Sequence, residues 1–238
     1  MGSSVTESRN DYILNVSNLS VKVQDQTILE NISFKLRKGT TLAIVGPNGA
    51  GKTMLFRALL NLVPYTGEIE WADKVKIGYV PQKLYVSDIP ISVKEFLMFK
   101  CDSATETEKC ITSVELDTKT LLNKGLNVLS GGQLQRVLIA WALIGNPNVL
   151  LFDEPTSAVD LDSEETIYEM LNRLERENRI TILIITHDIH VVRDYSEYML
   201  ALDKRMVFFG ESEQISNPSL LQTIYGSGTV LKTRKERG

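Results

Sequence analysis

Eight consecutive residues, Gly46-Pro47-Asn48-Gly49-Ala50-Gly51-Lys52-Thr53, carry the most specific chemistry in the chain. They fit the pattern G-x-x-x-x-G-K-S/T, whose glycines let the backbone wrap a phosphate with successive N–H groups pointing inward. The motif follows the apolar run Thr40–Val45 and opens Met54–Val63, which reads as a helix closed by Pro64. That strand-to-helix setting aims the positive end of a helix dipole at the anion. Lys52 is expected to reach the β- and γ-phosphates and the Thr53 hydroxyl to ligate Mg²⁺. A second apolar run, Val149-Leu150-Leu151-Phe152, delivers Asp153 and Glu154 at its end, where open α/β sheets bind ligands. Asp153 would hold magnesium through water, and Glu154 would be the general base for a water attacking the γ-phosphate. Together the two motifs predict a nucleoside-triphosphatase core.

A second glycine cluster, Leu129-Ser130-Gly131-Gly132-Gln133, opens the helical pattern Gln133–Ile144. Ser130 suits the N-cap, and the two glycines leave backbone N–H groups bare for another anion. Two phosphate sites and one nucleotide pocket fit together if the second site serves another copy of the chain.

Holding these residues in place needs a mainly parallel, covered sheet, and the strand and helix patterns alternate accordingly through the centre of the chain. Tyr12–Val23 and Thr27–Leu36 alternate apolar and polar residues and predict a separate antiparallel sheet at the N-terminus. Gly67–Trp71 and Val75–Val80 read as two further short strands. From about residue 91 to 145 the pattern becomes helical, with S/T-x-x-E caps at Ser92 with Glu95 and at Thr105 with Glu108. Asp162 with Glu165 reads as another cap before a polar helix, Ile180–Thr186 as the most apolar strand, and Tyr198–Leu202 with Met206–Phe209 as a hairpin before two short helices. The expectation is one α/β domain over residues 12–225 with a helical insertion, flanked by flexible tails at 1–11 and 230–238. Lys232, Arg234, Lys235 and Arg237 make the second tail basic, and it reads as solvated, with contact to anionic lipid as the alternative.

Composition narrows the function classes. A net charge of −4 and a pI near 5.4 argue against a dedicated nucleic-acid binder, which carries a basic surplus. With 238 residues and 43% hydrophobic content the chain can bury its own core. Its two cysteines, Cys101 and Cys110, cannot form a disulfide framework and point to a reducing compartment. No apolar run approaches the roughly 20 residues that span a bilayer, so any membrane role is expected to be peripheral.

The order of these motifs resembles the ATP-binding cassette (ABC) ATPases: phosphate loop, Gln82, Leu129–Gln133, Asp153-Glu154, Ser157-Ala158-Val159-Asp160 and His187. The resemblance covers Ile13 to Tyr225. It implies a P-loop nucleotide-binding core, an antiparallel β subdomain and a helical subdomain. It also implies a head-to-tail dimer with two ATP molecules between the subunits. Ser130, Gly131, Gly132 and Gln133 of one copy would then close over the γ-phosphate held by Gly46–Thr53 of the other. In the same reading Gln82 senses magnesium and the attacking water, Asp160 crosses the dimer interface, and His187 hydrogen-bonds the γ-phosphate. The family usually stacks adenine on an aromatic residue of the first hairpin; here that place falls on Val23, so ring stacking worth about 0.5–1.5 kcal/mol is absent.

A lone cassette with a short helical insertion resembles the separate ATPase subunit of a bacterial or archaeal importer. Such a subunit docks on a membrane permease at the cytoplasmic face and serves an extracytoplasmic solute-binding protein indirectly. Gly78-Tyr79-Val80-Pro81-Gln82-Lys83-Leu84-Tyr85 with Pro90, Lys204–Gly210, and Leu220–Val230 with Tyr225-Gly226 resemble the zinc/manganese metal-ion importer branch. The resemblance thus implies ATP hydrolysis that energises import of a divalent transition-metal ion. The alternatives are an importer of another substrate, or a soluble ABC ATPase that remodels a macromolecular complex. Cys101 and Cys110 lack C-x-x-C spacing, His187 is taken up by ATP in this reading and His190 reads as a surface helix residue, so a transported metal is expected to be bound by other subunits.

Overall fold

A computed structural model describes residues 11–82, 90–156 and 159–226. Lys83-Leu84-Tyr85, Ser157, Ala158 and the basic tail, all noted above, lie outside the described residues.

Period-2 apolar patterning builds the N-terminal sheet. Strand β1 (Tyr12–Val23) pairs antiparallel with β2 (Gln26–Arg37) on one side and with β4 (Thr66–Trp71) on the other. Beyond Ile13, which is buried too, the buried residues of β1 are Leu14, Val16, Leu19 and Val21, an alternation that slips by one residue. The slip is absorbed by a register shift between Val16 and Leu19, where Asn18 takes a φ of 52°. Asparagine tolerates that region better than most residues.

The larger sheet has six strands in the order β5-β6-β7-β3-β8-β9. They are β3 (Thr41–Val45), β5 (Ile77–Val80), β6 (Val149–Asp153), β7 (Thr181–Ile185), β8 (Tyr198–Asp203) and β9 (Arg205–Glu211). All neighbours run parallel except the hairpin partner β9 at the edge. The three central strands are buried at every residue, as a sheet covered on both faces requires. Alternate residues feed two cores. Leu42, Ile44, Leu151 and Leu183 pack with helix α1 (Lys52–Leu59) and the antiparallel sheet, whereas Ala43, Val45, Leu150, Phe152 and Ile182 pack with the remaining helices.

Between β5 and β6 lie α2 (Val93–Met98), α3 (Ala104–Ser113), α4 (Thr118–Leu121) and α5 (Gly131–Leu143). After β6 comes α6 (Leu161–Asn178), then α7 (Ile189–Tyr195) after β7 and α8 (Pro218–Tyr225) after β9. Ser92 and Glu95 form the expected reciprocal cap of α2. Two other expected caps fall elsewhere. The α3 cap is Ser103, whose hydroxyl accepts from the Glu106 N–H, rather than Thr105 with Glu108. Glu106 is held there by Cys101 and the Gly145 N–H, which pins the helix start two residues early. Asp160 rather than Asp162 caps α6, accepting from the Ser163 N–H at 3.0 Å. Helix α1 is also shorter than Met54–Val63 suggested. It starts at Lys52, and the chain turns at Asn61 with φ 55°. Among the described residues no helix is long and apolar enough to cross a membrane.

Candidate nucleotide site

The phosphate loop leaves β3 under tight steric limits. Gly46 has φ 144°, and a Cβ there would lie 2.1 Å from the Leu202 carbonyl oxygen on the neighbouring strand β8. Gly51, with φ 97°, would drive a Cβ to 2.5 Å from Leu29 Cδ2. Only glycine fits either place. Gly51 is also the N-cap of α1, so no side chain caps that helix, and its first turn carries no acidic residue. The positive end of the helix is therefore left open toward the loop.

Lys52 is 7% exposed and folds back over the loop. Its ammonium donates to the carbonyls of Gly46 at 2.8 Å and Pro47 at 3.1 Å. Burial lowers its pKa, while the nearby carboxylates Glu154 and Asp153 act in the opposite direction. The cation is thus held by loop carbonyls that a phosphate can replace.

Asp153, the last residue of β6, is only 3% exposed. Thr53 Oγ1 donates to its Oδ1 at 3.2 Å, joining the start of α1 to the end of β6. Burial raises the Asp153 pKa and the Thr53 hydrogen bond opposes that shift. A buried carboxylate beside a hydroxyl is a hard-oxygen donor pair, which suits magnesium. The ionised form that burial disfavours is the form a cation rewards. Tyr79 on β5 also lies beside Asp153, and its phenol pKa is raised by burial first and by that carboxylate second. Tyr79 had no place among the site residues read from sequence.

Glu154 gathers three loops. It takes φ 49°, a left-handed conformation costing a non-glycine residue about 1 kcal/mol, and its N–H donates to the Ile185 carbonyl at 3.1 Å. The turn aims its carboxylate sideways along the strand ends. His187 Nε2, just after β7, lies 2.7 Å from Glu154 Oε1. Gln82 Nε2, just after β5, donates to Glu154 Oε2 at 2.5 Å. Because β5, β6 and β7 are adjacent and parallel, their C-terminal ends place these three residues side by side.

The second glycine cluster is built on the starts of α5 and α6 rather than on strand ends. Ser130 Oγ accepts from the Gln133 N–H at 3.2 Å, and Gln133 Oε1 accepts from the Ser130 N–H at 3.3 Å. Gln133 therefore serves here as half of a capping box. Gly131 begins the helix two residues before the expected Gln133 start. A Cβ on Gly132 would lie 2.9 Å from both Cβ and Oγ of Ser163. Ser163 in turn is held by both carboxylate oxygens of Asp160. Ser130, Gly131, Gly132, Gln133 and Asp160 thus form one group. Gly46–Thr53, Gln82, Asp153, Glu154 and His187 form the other. Val23 stands at the turn end of the β1–β2 hairpin and is 44% exposed.

Known proteins share the sequence family and the fold. A family described as "ABC transporter" matches residues 29–157, and one described as "AAA domain, putative AbiEii toxin, Type IV TA system" matches residues 125–193. The chain is 36% identical over 217 residues to the zinc import ATP-binding protein ZnuC of Photorhabdus laumondii, covering 90% of this chain and 84% of that protein. Among solved structures, "an inward-facing conformation of a putative metal-chelate type ABC transporter" superposes with a TM-score of 0.81 at 28% identity, over 90% of this chain and 88% of that one. A dimeric ATP-binding cassette in a post-hydrolysis state, bound to ADP and Pi, superposes with a TM-score of 0.71 at 28% identity, over 84% of this chain and 99% of that one. The ABC match takes in the phosphate loop, the Ser130 cluster and Glu154 alike, and this chain belongs to the ATP-binding cassette family of ATPases, which bind and hydrolyse ATP.

Proposed function

We propose that this chain is the ATPase subunit of a membrane importer of a divalent transition-metal ion, zinc before manganese. The observation that carries the hydrolytic part is the Glu154 carboxylate, held between Gln82 and His187 beside the phosphate loop. The likeness to a zinc import ATP-binding protein supports the cargo.

In this reading the backbone N–H groups of Gly46, Pro47 excepted, through Thr53 cradle the phosphates of ATP. Lys52 exchanges the carbonyls of Gly46 and Pro47 for β- and γ-phosphate oxygens. Thr53, Asp153 and Gln82 would hold Mg²⁺, which would supply neutralisation of phosphate charge. Glu154 takes a proton from the attacking water as its oxygen bonds to the γ-phosphorus. The bond from that phosphorus to the ADP oxygen breaks, and ADP leaves with the electron pair. His187 orients the Glu154 carboxylate and hydrogen-bonds the transferred phosphoryl group. The Ser130-Gly131-Gly132 turn of a second copy closes the site, with Gln133 stiffening that turn and Asp160 crossing between the copies. Adenine packs on Val23 without ring stacking.

Closure of such a dimer draws its driving force from ATP binding the closed form better than the open one. The helical insertion passes that motion to a permease at the cytoplasmic face of the membrane, and an extracytoplasmic solute-binding protein delivers the ion to the permease. Purification from membranes tests this reading. The chain should co-purify with a polytopic membrane protein, and cells lacking it should lose zinc uptake at low external zinc. Uptake unchanged by its loss would refute the cargo, and recovery with a soluble macromolecular complex would favour a remodelling ATPase.

A further inference from the structure

We propose that Tyr168 is a positioning residue for hydrolysis, its hydroxyl tying the loop that leaves Glu154 to the loop that carries His187. The proposal rests on the reading of Glu154 and His187 as hydrolytic residues. Tyr168 lies on α6 and is 3% exposed. Its Oη stands 3.0 Å from Oγ1 of Thr156, two residues beyond Glu154. The side chain of Thr186, the residue before His187, also faces this hydroxyl. The direction of each bond follows from proton counting. Thr156 Oγ1 gives its one proton to Glu164 Oε1 at 2.7 Å, so it accepts from Tyr168. Tyr168 has then spent its proton and turns its lone pairs toward Thr186, whose oxygen accepts from the Asp188 N–H at 3.0 Å. A row of polar groups therefore runs from the start of α7 to a carboxylate on α6.

This row closes a ring. On one side the loops after β6 and β7 touch through Glu154 Oε1 and His187 Nε2 at 2.7 Å. On the other they are joined through Thr156, Tyr168 and Thr186. The aromatic ring of Tyr168 is anchored separately, stacked on Tyr195 with centroids 5.6 Å apart. Burial raises the phenol pKa, so the hydroxyl keeps its proton across the working range. Because Asp160 caps the same helix, a displacement of α6 by a second copy would reach both hydrolytic loops through this hydroxyl.

Tyr168→Phe removes the hydroxyl and keeps the stacked ring. In Mg-ATP hydrolysis by the full chain, kcat should fall about tenfold while KM for ATP stays within about twofold. Thr156→Val should reproduce that fall, Thr156→Ser should restore it, and the Tyr168→Phe/Thr156→Val double variant should lose no more than either single one. A wild-type kcat in Tyr168→Phe, or additive losses in the double variant, would overturn the proposal. If Tyr168→Phe folds poorly, the Thr156→Val and Thr156→Ser pair decides alone, and equal kcat in the two would overturn it. Glu154→Gln, assayed alongside, separates the two levels: a wild-type rate there refutes the hydrolytic reading itself, whatever Tyr168→Phe does.

Discussion

Glu154 Oε1 lies 2.7 Å from His187 Nε2, although 33 residues separate them in sequence. The contact exists because β6 and β7 are adjacent parallel strands and because Glu154 turns out of β6 with a positive φ. The same turn leaves its other oxygen to Gln82. The candidate base is thus oriented from both sides before any nucleotide arrives, and such preorganisation removes reorganisation from the reaction itself.

Asp153 carries a pH signature. Burial raises its pKa in the folded chain, so the fold favours the protonated acid. That contribution to stability is complete below the unfolded-state pKa and is lost as pH rises through the folded-state value. At neutral pH the ionised carboxylate is a cost to the nucleotide-free protein. Asp153→Asn should therefore raise Tm at neutral pH, with the gain vanishing in acid, while Mg-dependent ATP hydrolysis is lost. Thermal melts across pH check this, and an equal gain at acid pH would contradict it.

Val23 offers a gain-of-affinity test. It is 44% exposed at the end of the first hairpin. Val23→Tyr should add a stacking partner for adenine worth about 0.5–1.5 kcal/mol, or roughly two- to tenfold in Kd. Calorimetric titration with ATP and with GTP reads the change. An unchanged ATP affinity would place adenine elsewhere.

Legibility followed locality. The runs Thr41–Val45, Val149–Asp153 and Thr181–Ile185 are short, apolar and bounded, and all three are central strands. The phosphate loop was readable because its glycines, lysine and threonine are contiguous. The meeting of Gln82, Glu154 and His187 came from family resemblance, since strand order is written in tertiary packing and not in spacing. Tyr79, Thr156 and Tyr168 went unread for the same reason: each touches a residue of another loop or strand, and no periodicity marks it. The misplaced caps have a different cause. Thr105 matches the capping pattern as well as Ser103 does, and contacts made by Glu106 decide between them, whereas Asp160 caps through the Ser163 N–H without the glutamate that the pattern looks for.

Gly132 tests the composite site. A Cβ there would press on Ser163 at 2.9 Å, forcing the first turns of α5 and α6 apart. Gly132→Ala should leave ATP affinity of the single chain unchanged and weaken ATP-driven dimerisation by about tenfold, equivalent to roughly 1.4 kcal/mol. Light scattering on a hydrolysis-deficient background measures this. Dimerisation at full strength would remove the Ser130–Gln133 turn from the interface.

The most direct test compares phosphate release by the wild type and Glu154→Gln under saturating Mg-ATP, with ATP affinity measured on the same preparations. Loss of a general base should slow hydrolysis by about a hundredfold or more while ATP remains bound with near wild-type affinity. A Glu154→Gln variant that binds Mg-ATP and hydrolyses it at the wild-type rate would contradict the account.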